Sequence, residues 1–307
     1  MNNTLKSACF FVFFFFFPVT LYGSEASAIL LLNSDGSVEK YSDTGNAFKE
    51  SLNNLPLQEI NMNVPQWEIS EVEKILTTPR FKAVYCIGTK AYLIANQYAG
   101  EKNIVFSSIM NWLRLPTTER TYGVSSELPS EMQMMLFRYI FPKIRKISVL
   151  YSSQYNKEWF AAARNDAKKM EIEIVGQALA DDKETLSALK SLLPGTDAFW
   201  LISDPVVMTD KTVLFEVLKQ CDKAKLPVFS YHDAFAKYGA ALVVSADNPT
   251  IGRQAAGIAT DLLSGKKPEE KVVFPAGTHI TLNLKKIGEY GLLYNKDALG
   301  SVNNIIE

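Results

Sequence analysis

Residues 196–268 decide the fold, and they read TDAFWLISDPVVMTDKTVLFEVLKQCDKAKLPVFSYHDAFAKYGAALVVSADNPTIGRQAAGIATDLLSGKKP. Three short apolar segments in this stretch, at 198–203, 227–230 and 240–245, predict β-strands, and a segment with helical periodicity follows each of them. Strands that alternate with helices are typical of a parallel sheet, in which ligands bind beyond the carboxyl ends of the strands. Because small polar residues end all three segments, the stretch predicts both the fold class and one wall of a ligand site.

The same alternation extends through the rest of the chain. Further strands are predicted at 28–32, 57–62, 81–86, 103–107, 146–150 and 171–175. The first of these is the continuous apolar run AILLL, which is typical of a strand buried on both faces. Two comparable sets of strands and helices meet near Ser125 without a long linker, which predicts two lobes.

The first 28 residues have the anatomy of a secretory signal peptide. A single lysine precedes an apolar run at 8–17, and small residues follow at 23–28. The run is shorter than the about 20 residues that span a bilayer. We predict a signal peptide at 1–26, cleaved after Ala26 or Ala28, with a retained membrane anchor as the alternative. Because Ser24 stands where a lipoprotein signal would carry its lipid-bearing cysteine, we expect a free periplasmic protein.

Composition and charge argue against several classes of function. The chain is 47% hydrophobic and has a formal charge of -1, which describes a globular protein without the basic surface that nucleic-acid binding requires. It carries no G-x-G-x-x-G after a strand, no G-x-S-x-G and no P-loop, and we expect no cofactor. The 2 histidines, His232 and His279, lie far apart without neighbouring cysteines, so we expect no metal site.

The cysteines do not form a disulfide pattern. Of the 3 cysteines, Cys9 lies in the predicted signal peptide, which leaves Cys86 at a strand end and Cys221 within a helix. An exported disulfide framework would carry more cysteines in pairs. We therefore predict Cys86 and Cys221 as buried free thiols.

The second half of the chain carries a family resemblance. The segments LPV (226–228), GAAL (239–242), IGRQAAG (251–257) and LSGKKP (263–268) follow in order. They resemble the "IPV", "GALA" and "LGRQAG…LLxGKKP" segments of ABC-transporter substrate-binding proteins related to tryptophan- and phenylalanine-binding lipoproteins. TYGVSS (121–126) is similar to the "VTGVS" crossing of that family, and a capping box of Ser130 with Gln133 is predicted just after it.

The resemblance implies the class I periplasmic-binding-protein fold. This is an α/β fold of two Rossmann-like lobes with parallel sheets, joined by a multi-strand hinge that the chain crosses three times. Carried onto this sequence, the family pattern puts residues 27–124 and 247–266 in the first lobe. It puts residues 125–246 and 267–307 in the second lobe.

Candidate ligand contacts lie at predicted strand ends and where the family lines its cleft. Gly88 and Thr89 open a helix directly after a strand, which predicts free backbone N–H groups for an anion, with an ordinary turn as the alternative. Asp204 and Asp233 are expected to accept hydrogen bonds from an amine or hydroxyls, with a helix cap as the alternative for each. The full predicted set is Gly88, Thr89, Ser107, Ser108, Ser125, Tyr151, Ser152, Tyr155, Asp204, Tyr231, Asp233 and Asp247.

Aromatic residues near these positions divide into two groups. Tyr155 and Tyr231 are predicted to cover an apolar or aromatic part of the ligand. Trp159 and Phe160, one turn into a helix, are predicted as core residues. Residues 109–112 depart from the family, which usually carries an Asp-Pro pair after this strand.

The resemblance implies an exported solute-binding protein that closes on a small ligand and presents it to an ABC permease in the inner membrane. An aromatic amino acid is the first ligand hypothesis, and we expect a monomer without enzymatic activity. One alternative is a periplasmic ligand sensor that reports to a membrane receptor. Another is a two-lobe racemase with Cys86 and Cys221 as paired acid and base, although Cys221 is predicted within a helix rather than in a loop. A His232-Asp233 acid–base pair has no assignable nucleophile beside it.

Overall fold

The computed structural model describes residues 28–65 and 67–307, so the predicted signal peptide at 1–26 lies outside the described residues. Within these ranges the chain forms two sheets, one of six strands and one of seven. The strands are β1 (Ala28–Asn33), β2 (Leu57–Asn61), β3 (Phe81–Ile87), β4 (Asn103–Ser107), β5 (Thr121–Val124), β6 (Lys146–Ser152), β7 (Glu173–Leu179), β8 (Ala198–Trp200), β9 (Val228–Ser230), β10 (Leu242–Ala246), β11 (Val272–Val273), β12 (Thr278–Asn283) and β13 (Asn304–Ile306).

Helices connect most of these strands. The helices are α1 (Glu39–Ser51), α2 (Ile69–Leu76), α3 (Thr89–Tyr98), α4 (Ser130–Ile140), α5 (Lys157–Lys169), α6 (Thr185–Leu192), α7 (Lys211–Lys223), α8 (Ala234–Lys237), α9 (Asn248–Leu263) and α10 (Leu284–Tyr290). Short 3-10 helices lie at Trp112–Arg114, Asp182–Glu184 and Lys296–Ser301.

Strand order gives each lobe its own sheet. The first sheet runs β11-β5-β4-β3-β1-β2 and the second runs β13-β12-β10-β9-β8-β6-β7. Among the described strand pairs, only β10 with β12 is antiparallel. The predicted α/β fold with two mainly parallel sheets is therefore confirmed.

The continuous apolar sequence of β1 is explained by its burial on both faces of the first sheet. Ile29 and Leu31 of β1 belong to one hydrophobic cluster, whereas Leu30 and Leu32 belong to another on the opposite face of the sheet. All four side chains are fully buried. A strand covered on both faces has no polar side, which is the reason that the sequence shows a continuous apolar run instead of alternation.

The chain passes between the sheets three times within the described residues, after β5, β10 and β11. The boundary expected between residues 266 and 267 is wrong, because β11 pairs with β5 of the first sheet. Gly123 N donates to Lys271 O at 2.9 Å, and Ser125 N donates to Val273 O at 2.9 Å. The free edge of β5 needs these backbone partners, so residues 267–273 stay with the first sheet and the chain crosses after Val273.

Helix α9 returns to the first sheet after the second crossing. It packs along α1 and against β3, β4 and β5. Gly252 permits the close approach to α1, since a Cβ atom there would lie 2.2 Å from the Thr44 carbonyl oxygen. Among the described helices, none combines the length and apolar composition that a membrane span requires.

Candidate functional site

A cavity of about 850 Å³ lies between the two lobes, beside the crossing segments. The loop after β4 lines it with residues 110–114, the first crossing with 125–131, and the loop and helix start after β6 with 153–159. Side chains near the ends of β8, β9 and β10 and from the last crossing complete the wall. Because both lobes contribute, the cavity closes only when the lobes approach each other.

Aromatic side chains make up much of the cavity lining, namely Trp112 of the first lobe, Phe274 of the last crossing, and Tyr155, Trp159, Trp200 and Tyr231 of the second lobe. Trp159 lies 4.9 Å from Trp200, measured between ring centroids. Trp200 is 1% exposed and is held edge-on by Phe137 at 5.5 Å. A rigid aromatic surface of this kind suits a flat apolar group of a ligand.

Two contacts join the lobes through residues that line the cavity. Asn111 Nδ2 of the first lobe donates to Ser203 Oγ of the second at 3.2 Å. The Arg114 guanidinium lies 4.6 Å from the centre of the Tyr155 ring, which is a cation–π geometry. The loop after β4 therefore bridges the lobes over the cavity.

Glu127 places a carboxylate on the first crossing segment, where the cavity meets the hinge. Ser125 Oγ donates to Glu127 Oε2 at 2.5 Å, and Asn111 N donates to Glu127 Oε1. Burial raises the pKa of this carboxyl, and the two hydrogen bonds oppose that shift. The acid is thus held in a fixed position between the lobes.

Three of the predicted site residues lie on the cavity, namely Ser125, Tyr155 and Tyr231. Ser125 forms a tight local turn, because its Oγ accepts from Glu127 N at 3.0 Å while donating to the carboxylate of the same residue. Tyr231 is partly buried, and burial raises its pKa, although a hydrogen bond with Ser203 opposes the shift.

Among the described residues, Asp204 does not line the cavity, and its carboxylate makes hydrogen bonds within the second lobe. It is 2% exposed. Its Oδ2 accepts from Ser152 N at 2.7 Å, Ser152 Oγ at 2.8 Å and Asn156 Nδ2 at 2.6 Å. Its Oδ1 accepts from Val206 N at 2.8 Å and Val207 N at 3.1 Å. The structure therefore gives Asp204 a structural role, in which it caps the turn at 205–207 rather than a helix, and the same network withdraws Ser152 from the cavity.

The predicted anion site at Gly88 and Thr89 is already covered by protein atoms. Ser34 Oγ accepts from Ala91 N at 3.0 Å, which caps the first turn of α3. A Cβ atom on Gly88 would lie 2.7 Å from that same oxygen, so the space above Gly88 is filled. Thr89 is exposed, and neither residue lines the cavity outlined by the described chain. The ordinary-turn alternative fits this geometry.

Ser107 and Ser108, predicted beside that site, also lie off the cavity that the described residues form. Ser107 is fully buried and its Oγ lies 2.6 Å from the Tyr85 hydroxyl. Ser108 is 7% exposed, has a left-handed backbone with φ 57°, and its Oγ lies 3.5 Å from Thr44 Oγ1.

The remaining predicted residues have local structural contacts. Tyr151 stacks on Phe160 with ring centroids 4.2 Å apart. Asp233 is exposed and accepts from Ser245 Oγ at 3.0 Å. Asp247 caps α9, because its Oδ2 accepts from Thr250 N at 2.9 Å. These three side chains lie away from the lining of the described cavity.

Sequence reasoning missed much of the aromatic and acidic lining. Residues 110–114, Glu127, Trp159 and Phe274 line the cavity but were outside the predicted set. The unusual segment 109–112 was the available signal for the first of these. Trp159 was predicted as core, and it does pack against the core with one part while lining the cavity with another. The capping box of Ser130 with Gln133 is wrong, because Ser130 Oγ donates to Asp166 at 2.6 Å instead.

The two thiols of the racemase alternative lie off the described cavity. Cys86 is buried in β3 and Cys221 is buried on α7. Burial raises the pKa of the Cys221 thiol to about 12 and raises that of Cys86 as well. Thiols held neutral in this way are poorly suited to take a proton from a substrate.

Comparison with known proteins gives a family and a fold. A model of the family described as ABC transporter substrate binding protein matches residues 50–305. A tyrosine-binding protein of Clostridioides difficile (strain R20291) is 23% identical over 185 residues, which are 57% of this chain and 53% of that protein. The chain thus spans about half the length of this curated relative.

Solved structures from two organisms share the fold. A Streptococcus pneumoniae ABC domain in complex with L-Trp is 18% identical, with a TM-score of 0.62 over 91% of this chain and 99% of that one. A ligand-free, open substrate-binding protein with adhesive properties from Clostridium difficile is 17% identical, with a TM-score of 0.67 over 91% of this chain and 98% of that one. At these identities the likeness concerns the fold, and it confirms the two-lobe arrangement that the sequence predicted.

Proposed function

Because this chain belongs to the family of ABC transporter substrate-binding proteins, we propose that it binds an aromatic amino acid in the cavity between its lobes. The observation that carries this proposal is the cavity itself, whose lining combines aromatic side chains of the second lobe with a fixed carboxylate on the hinge. The relatives named for tyrosine and L-Trp support the same ligand class.

The cavity offers a separate place for each part of such a ligand. The aromatic side chain would lie against Trp159 and Trp200. Ser126 Oγ, which is buried without a hydrogen-bond partner among the described residues, is available to a polar group. The first turn of α4 lines the same region and has no side-chain cap within the described chain, so its N–H groups suit an acidic group.

Closure would follow from contacts with both lobes. A ligand that touches both walls binds the closed arrangement more tightly than the open one and shifts the equilibrium toward closure. We extend the proposal to an exported protein that delivers its ligand to an ABC permease in the inner membrane. In this role the binding protein performs no chemical step.

A thermal-shift screen tests the proposal. The purified protein, unfolded and refolded to remove bound ligand, is screened against the twenty amino acids, purines, sugars and short peptides. Tryptophan, tyrosine or phenylalanine is expected to raise the melting temperature, since ligand at a hundredfold excess over Kd stabilises the folded state by about 2.7 kcal/mol.

A matched pair of variants locates the binding. Trp159→Leu removes one of the two indole rings proposed to hold the aromatic side chain of the ligand and is expected to abolish the shift. Phe215→Leu, at an exposed aromatic residue of the second lobe away from the cavity, should leave it unchanged. The proposal fails if no aromatic amino acid stabilises the wild-type protein, or if the shift persists in Trp159→Leu.

A further inference from the structure

We propose that Glu127 binds the ammonium group of the ligand, so that the site selects aromatic compounds that carry a free, positively charged amine. This inference rests on the proposed function and specifies which ligands of that class the site accepts. It depends on the position of Glu127, on the state of its carboxylate and on its lack of a basic partner.

The position of Glu127 suits a group that must be recognised from both lobes. It lies between β5 of the first lobe and α4 of the second, on the first crossing segment. Asn111 N, on the loop of the first lobe that also reaches Ser203, donates to one of its oxygens. A cation on this carboxylate is therefore held at the point where the lobes meet.

The hydrogen bonds of Glu127 favour the ionised carboxylate. Each of its oxygens accepts a hydrogen bond, one from Ser125 Oγ and one from Asn111 N. A carboxylate offers about four acceptor positions, so further positions remain for donors from the cavity. An ammonium group has three N–H donors and a positive charge, so it can donate to these free acceptor positions and neutralise the carboxylate.

Glu127 has no basic partner within the described part of the chain, and the groups that perturb its pKa include no cation. The other charged side chains on the cavity are engaged or exposed. Arg114 lies over Tyr155, and Asp166 pairs with Lys169 at 3.1 Å. Lys157, Glu131 and Glu158 are exposed to solvent. A half-buried carboxylate without a counter-ion loses part of its hydration, and a ligand cation offsets that cost.

Selectivity follows from the same argument. A ligand without the amine would leave the half-buried Glu127 carboxylate without a counter-ion, and a site built for a hydrogen-bonded group rejects analogues that lack it. The aromatic wall by itself would accept such analogues, because it contacts only the apolar part of the ligand.

Calorimetric titration of the refolded protein tests the inference. The probes are tryptophan, tyrosine and phenylalanine, the amines tryptamine, tyramine and phenethylamine, and the three corresponding arylpropionates. We expect the arylpropionates to bind the wild-type protein at least about tenfold more weakly than the amino acids. Glu127→Gln should weaken the amino acids and amines by about 10- to 100-fold and should barely change the arylpropionates.

Two control variants separate charge recognition from structural damage. Glu184→Gln removes an exposed carboxylate of the second lobe away from the cavity and should leave every affinity within about twofold. Glu127→Asp keeps the charge and should retain the preference for amines. This keeps the inference testable if Glu127→Gln proves to be destabilised and its melting temperature falls.

A pH series provides a readout that a purely structural role would not give. Burial raises the pKa of Glu127 above the ordinary value of 4.5, so acidification should weaken amine binding to the wild-type protein before it reaches that value. Glu127→Gln should lack this decline.

The inference is overturned if Glu127→Gln binds the amino acids within about threefold of wild type, or if an arylpropionate binds wild type as tightly as its amino acid. If no aromatic probe of any class binds the wild-type protein, the proposed function itself has failed, which is a different outcome.

Discussion

Asp204 shows how a carboxylate at a strand end can serve the fold instead of a ligand. Its two oxygens accept from Ser152, Asn156 and the backbone N–H groups of Val206 and Val207. In Asp204→Ala these buried donors lose their acceptor, so we expect the free energy of unfolding to fall by about 2–4 kcal/mol. Urea unfolding measures this loss, while titration of the folded protein should show ligand affinity close to wild type.

Asp233→Ala is the matched control for that prediction. Asp233 is exposed, and its carboxylate accepts only from Ser245 Oγ among the described residues. Its replacement should change the free energy of unfolding by no more than about 0.5 kcal/mol. A large loss of affinity in Asp204→Ala with unchanged unfolding would instead return Asp204 to the ligand, as the sequence suggested.

Sequence alone misassigned Asp204 because its hydrogen-bond partners lie far from it along the chain. Its partners Asn156 and Ser152 lie 48 and 52 positions away, so a local pattern cannot show that the carboxylate is already occupied. The reverse holds for Glu127. Its importance comes from Asn111, 16 positions earlier, and from the closing of the two lobes around it.

At the scale of elements, strands were predictable and cross-lobe loops were not. The predicted strand at 103–107 coincides with β4, since a buried apolar run is a local signal. The loop after β4 carries left-handed residues at Ser108 and Asn111, with φ of 57° and 55°. Neither is a glycine. Ser108 Oγ lies near Thr44 Oγ1 of α1, and Asn111 donates to Ser203 of the other lobe, which are long-range contacts that the sequence does not display.

Helix α9 gives a paired test of close packing. Gly252→Ala would place a Cβ atom 2.2 Å from the Thr44 carbonyl oxygen of α1, which forces the two helices apart. We expect the free energy of unfolding to fall by about 2 kcal/mol or more. Gly257→Ala, in the same helix but with no atom within 4 Å of the new Cβ, should be stabilising by about 0.5–1 kcal/mol. Equal effects of the two substitutions in chemical denaturation would contradict the described contact between α9 and α1.

The loop after β4 gives a test of closure. Arg114→Ala removes the cation–π contact with Tyr155, which is worth about 0.5–1 kcal/mol at an exposed site. Because the contact exists only when the lobes meet, its loss should favour the open form, weaken ligand binding by about two- to fivefold and raise the radius of gyration measured by X-ray scattering.

A second arginine separates closure from stacking as such. Arg80 lies at the same 4.6 Å from the ring of its neighbour Phe81, inside the first lobe. Arg80→Ala should therefore leave both affinity and radius of gyration unchanged. Similar effects of Arg80→Ala and Arg114→Ala on affinity and radius of gyration would show that loss of the cross-lobe contact is not their cause.

For the molecule as a whole, the sequence predicted the two lobes because each repeats the same local alternation of strand and helix. It did not predict the cavity, whose walls come from segments that meet only after the chain has crossed between the lobes. The first sheet takes β1 to β5 from the chain up to Val124 and adds β11 from the part that follows, whereas every strand of the second sheet lies after Val124. The ligand site exists only in their combination.

The relation between the lobes is also expected to depend on pH through His232 of the second lobe. Partial desolvation lowers the pKa of His232 below its ordinary value of 6.5, and the positive charge of Lys40, on α1 of the first lobe, lowers it further. Asp233 opposes both effects. His232 is therefore neutral at pH 7, and the closed arrangement keeps its full stability above pH 6.5. Below that value, protonation sets a second positive charge against Lys40 and favours separation of the lobes.

X-ray scattering of the ligand-free protein between pH 7.5 and 5 measures this separation as a rise in the radius of gyration. In His232→Gln the side chain cannot acquire a charge, so the radius should stay constant over the range in which the wild-type value rises. In Lys40→Gln the rise in the radius of gyration should be smaller than in the wild-type protein, because the positive charge that repels protonated His232 is gone. A wild-type curve that overlays the curve of His232→Gln would show that His232 does not control the separation of the lobes. Glu127 would then be the next titrating residue between the lobes to test.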